Sequence, residues 1–145
     1  MANIATRTAQ KRIALIWYVG AGILFFIFIL QSMLGKYGDD TELAWNWLLP
    51  AIMPTISLIT AVLITELSSP DSGKMGDQFL YRMAIVSSII YMGVLYLVVF
   101  LSPFIEGERS ALEILQSSQL WIAPLQGVVA GILGAYFVKP KSELS

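Results

Sequence analysis

The chain has no cysteine and no histidine. Disulfides, thiolate and imidazole metal sites, histidine-ligated haem and any mechanism built on a histidine base are thereby excluded. Charge is scarce as well: Asp, Glu, Lys and Arg make up 13% of the 145 residues, against about a quarter in soluble domains. No acidic residue falls at mid-depth in any of the long apolar runs. That argues against proton- or cation-coupled transport, which relies on an intramembrane carboxylate. His-Glu-x-x-His, Gly-x-Ser-x-Gly and phosphate-loop patterns are missing too, so the sequence predicts no catalytic residue, no cofactor and no metal. Nothing in it points to nucleic acid.

What is present is apolar. Hydrophobic residues are 57% of the chain and the mean hydropathy is +0.72. Four runs, at 13–34, 45–65, 79–101 and 119–138, are each long enough to cross a ~30 Å hydrocarbon core at about 1.5 Å per residue. They leave no room for a separate soluble domain of even ~50 residues. The expected fold is all-α, an integral membrane four-helix bundle occupying 1–145 as one domain. Its first partner is the lipid bilayer. The basic start (Arg7, Lys11, Arg12) before the first run also fits a secretory signal, but the run is long and Gln31-Ser32-Met33-Leu34-Gly35-Lys36 is a poor cleavage site, so a retained first helix is expected.

Seven of the nine basic residues, Arg7, Lys11, Arg12, Lys74, Arg82, Lys139 and Lys141, lie at the two termini and the middle connector. The other two loops hold Lys36 and Arg109 beside Asp39, Asp40, Glu42, Glu106, Glu108 and Glu113. The bias predicts both termini in the cytoplasm, and the architecture is that of a small bacterial inner-membrane protein. Trp17, Tyr18, Trp45, Trp47 and Trp121 read as interfacial rings. Ser110 and Glu113 form a capping-box pattern that predicts a short surface helix before the fourth span. Glu66 and Arg82 face each other across the connector, as solvated boundary charges or as a gating pair.

The second run carries Pro50 and Pro54, which remove two helical N–H donors and free the carbonyls four residues earlier. Pro50, Pro54, Ser57, Ala61 and Thr65 share one small, mildly polar face, expected to turn inward. A faint repeat pairs Arg12-Ile13-Ala14 with Arg82-Met83-Ala84 and Trp47-Leu48-Leu49-Pro50 with Trp121-Ile122-Ala123-Pro124. If structural, it makes the bundle two tandem helical hairpins, an arrangement that parallel-repeat transporters use.

Two constellations carry functional expectations. In the fourth run, small residues recur at Ala123, Gly127, Gly131 and Ala135, widened by Ala130 and Gly134. Such a stripe lets helix backbones approach closely in lipid. It serves packing inside the bundle or between subunits, and packing inside is the expected use. The second constellation is an outer-half polar layer of Gln31, Thr55 and Gln126, extended by Ser57 and Thr60 of the second run. Its ordinary use is interhelical hydrogen bonding that fixes register, and its alternative is the lining of an ion or solute path. The leading functional expectation is a non-catalytic membrane protein that associates through its helices, as a homo-oligomer or as the membrane subunit of a larger complex. An oligomeric pore or channel is the alternative.

Overall fold

The computed structural model describes residues 6–67, 78–104 and 110–137. The connector with Pro70, Gly73 and Gly76, the Glu106–Arg109 part of the outer loop and the Lys139-Pro140-Lys141 end lie outside them, as does the side chain of Glu66 and with it the Glu66–Arg82 pairing. The fold is an all-α bundle of four long helices: α1 (Thr6–Met33), α2 (Thr41–Leu67), α3 (Gln78–Leu101) and α4 (Ala111–Phe137). Each is long and apolar enough to span a membrane, and the protein is read as an integral membrane protein. With lipid outside, the large apolar side chains on the surface, such as Phe26, Leu97 and Leu120, need no further cover.

Local sequence explains the helix ends. Gly35 adopts φ 70° and closes α1, with Lys36 N–H donating to Gln31 C=O and Gly35 N–H to Ser32 C=O. Only glycine takes that left-handed position cheaply. A single 3-10 turn (Gly38–Asp40) then leads directly into α2. At the start of α4, Ser110 and Glu113 exchange bonds, each backbone N–H donating to the other's side-chain oxygen at 3.3 Å. This is the capping box expected from the sequence. It does not open a separate surface helix, however. Residues 111–118 contain no glycine or proline, and Leu115 and Ser118 are buried in the bundle, so the cap starts the spanning helix itself.

The helices neighbour one another in the cyclic order α1, α2, α4, α3. The second hairpin therefore lies alongside the first, α3 against α1 and α4 against α2. One bond is made twice in this arrangement. Trp17 Nε1 donates to Ser88 Oγ at 3.0 Å, tying α1 to α3, and Trp47 Nε1 donates to Ser118 Oγ at 2.9 Å, tying α2 to α4; both pairs are 71 positions apart. Trp17 and Trp47 are thus core residues, 0% and 1% exposed. The interfacial reading fails for them because a ring whose N–H finds a hydroxyl inside the bundle has no need of the headgroup layer. Trp17 stacks on Tyr91 and Trp47 on Phe28, with ring centroids 5.7 and 5.8 Å apart. Trp121, by contrast, is 47% exposed, so the matching tetrapeptides at Trp47 and Trp121 are not structurally equivalent.

The inward face of α2 also differs from expectation. Pro50, Pro54, Ser57, Ala61 and Thr65 are all exposed, while Trp47, Leu48, Ala51, Ile52, Thr55 and Ile59 are buried. A core packed to crystalline density needs volume, and the bulky stripe supplies it where the small, mildly polar one does not.

Candidate functional site

The prolines of α2 set up the most polar part of the membrane interior. Pro54 has no N–H to give the carbonyl of Pro50, and Pro50 has none for that of Asn46. A bare carbonyl at membrane depth costs several kcal/mol, and α4 supplies the donors. Gln126 Nε2 lies 2.8 Å from Pro50 O and 3.1 Å from Ala51 O, and Gln119 Nε2 lies 3.5 Å from Asn46 O, a long contact. From α3, the diagonal neighbour, the buried Tyr91 hydroxyl donates to Ala51 O at 2.8 Å. Three helices are thereby knotted around the break in α2.

One group is left over. The hydroxyl of Thr55, wholly buried, has no hydrogen-bond partner. A helical threonine ordinarily donates to the carbonyl four residues back, which here is Ala51 O, and that oxygen already receives the side chains of Gln126 and Tyr91. An orphaned buried hydroxyl costs about 1–3 kcal/mol. Thr55→Val, which keeps the shape and deletes the orphan, is therefore expected to leave stability unchanged or raise it by about 1 kcal/mol. Equilibrium unfolding in mixed micelles reads the difference, and a loss above about 1 kcal/mol would mean that the hydroxyl has a partner.

The remaining polar-layer residues are scattered. Gln31 sits at the C-terminal end of α1, where its Oε1 accepts from Tyr37 OH at 2.6 Å. Tyr37 lies in the loop, stacked on Phe28, and burial pushes its phenol up to about 12, so it stays a neutral donor at physiological pH. Thr60 donates to Ile56 C=O at 2.7 Å and meets the Tyr18 hydroxyl. Ser57 is exposed. Sequence reasoning identified Gln126 and the prolines but missed Tyr91, Ser88 and Ser118. The available signal was a tryptophan in each of the first two helices that needed an acceptor.

The small-residue stripe of α4 is not used inside the bundle. Its buried face is Leu115, Ser118, Ile122, Val129, Leu133 and Tyr136. Ala123, Gly127, Gly131 and Ala135 lie on the opposite side, all exposed. A Cβ placed on Gly127, Gly131 or Gly134 would meet no atom within 4 Å. Packing within the bundle is therefore not what these residues do. The large side chains of α4 fill the interior, and the stripe faces the surroundings.

Compared with known protein families, curated proteins and solved structures, the chain matches none of them.

Proposed function

We propose that this is a non-catalytic membrane protein that works by helix–helix association, as a homo-oligomer or as the membrane subunit of a larger complex, with α4 as the associating helix and both termini cytoplasmic. The single observation that carries the reading is the outward-facing stripe of Ala123, Gly127, Gly131 and Ala135. A helix face without side-chain bulk gains little from lipid tails but allows close backbone approach by another helix. The pore alternative has less support, because Gln126 is engaged with α2 carbonyls and Thr60 and Thr65 donate to their own helix.

Because nothing lies within 4 Å of the added Cβ atoms, Gly127→Leu and Gly131→Leu are expected to leave the monomer folded and to weaken association by tenfold or more, about 1.4 kcal/mol. Val128→Leu, at a position 60% exposed beside the stripe, serves as the control and is expected to change association little. Förster transfer between labelled copies in nanodiscs, with the unfolding midpoint measured in parallel, separates the two effects. Association that is undiminished in both glycine variants, or a wild-type chain that stays monomeric and captures no membrane partner, would overturn the proposal.

A further inference from the structure

A groove of about 540 Å³ runs between α1 and α3 on the outer surface. Its floor is the close approach of Gly20 to Met92, where an added Cβ would come within 3.0 Å of the methionine side chain. Its walls are apolar: Leu15 and Val19 from α1, Ile89 from α3. Gly93 sits at its rim with nothing within 4 Å of a Cβ. The backbone carbonyl of Gly20 accepts from Tyr96 OH at 2.7 Å. The groove thus offers hydrocarbon contacts and no unmet polar group.

Its charged end is set by the repeat. Arg12 stands three, four, seven and eight residues before Leu15, Ile16, Val19 and Gly20, on the same face of α1. Arg82 stands seven and eleven residues before Ile89 and Gly93, on the same face of α3. The Trp17–Ser88 bond joins positions 71 apart, and Arg12 and Arg82 are 70 apart (82 − 12), so the register brings the two arginines to the same level. Both are exposed, and neither has an ion-pair partner among the described residues. Two guanidinium groups at the rim of the first span, level with each other, attract a phosphate and repel another cation. From Arg12 to Gly20 is about 12 Å of helix, close to the depth of one leaflet of a ~30 Å core.

We infer that this groove is a binding site for an anionic phospholipid of the leaflet at the N-terminal end of α1, one acyl chain lying over Gly20 and Met92 and the headgroup phosphate held between Arg12 and Arg82. The site is independent of the α4 stripe. Its test is native mass spectrometry of the intact chain in mild detergent, titrated with phosphatidylglycerol and phosphatidylcholine bearing identical acyl chains. Wild type is expected to prefer the glycerol headgroup by roughly thirty-fold, about a factor of five for each basic side chain. Arg12→Gln with Arg82→Gln is expected to abolish that preference, and the corresponding double lysine substitution to keep most of it. Gly93→Leu, which intrudes on the groove without a clash in the bundle, is expected to weaken both lipids alike while the unfolding midpoint stays put. Equal retention of the two lipids by wild type, or a preference that survives the double glutamine substitution, would sink the assignment. So would a dimer that Gly93→Leu dissociates, because the groove would then hold a second copy of the chain.

Discussion

Trp47→Ala is expected to destabilise the bundle by about 3–5 kcal/mol, the range for truncating a fully buried aromatic side chain. The indole is 1% exposed, stacks on Phe28 with an interplanar angle of 7°, and donates to Ser118. In lipid the hydrophobic effect does not hold helices together, so the loss is of dispersion contacts and of one buried bond. The hole is walled by protein and lipid tails cannot refill it. Trp121→Ala is the natural comparison, because that ring is 47% exposed and lipid takes its place; about 1 kcal/mol or less is expected. Reversible unfolding of the two variants in the same mixed micelles decides the matter. Equal losses would remove Trp47 from the core.

The second large effect is conditional. Gln126→Leu is expected to cost about 2 kcal/mol, since it leaves the carbonyl of Pro50 bare at depth while Ala51 keeps the Tyr91 hydroxyl. With Pro54→Ala already in place, the helix supplies its own N–H to Pro50 and the same substitution is expected to cost less than half as much. The difference between the two losses is the coupling between proline and glutamine, on the order of 1 kcal/mol or more. Additive effects would mean that Gln126 stabilises the bundle by some route other than covering the break in α2.

Much of this architecture could be read from the residues. Four long apolar runs, the Ser110–Glu113 cap and the proline breaks all act over distances of a few residues, where composition and spacing are decisive. Facing was harder. The small stripes of α2 and α4 read as inward because small residues permit close approach, yet volume governs which side fills a core, and bulky stripes lie opposite both. Tryptophan was ambiguous for a related reason. Its ring suits an interface or an interior with an acceptor, and the acceptors Ser88 and Ser118 are 71 positions away, beyond any local pattern. The Gln126 bonds were half legible: the glutamine and the freed carbonyls were visible, but only the α2–α4 adjacency brings them together. Arg12 and Arg82 were visible as a repeat, and it takes the α1–α3 register to set them at the same level.

The two indole–hydroxyl bonds also impose an order in time. Trp17 and Trp47 are made in the first half of the chain, and so are the carbonyls of Pro50 and Ala51; Ser88, Tyr91, Ser118 and Gln126, which complete them, all come in the second. At roughly 5–20 residues per second, a lag of 71 positions is about 4–14 seconds of synthesis. Through that interval the first hairpin carries indole donors and the proline-freed carbonyl of Pro50, whose native partners have yet to be translated. It has reason to linger beside the insertion machinery, or another helix rich in hydroxyls, until the nascent chain brings its own.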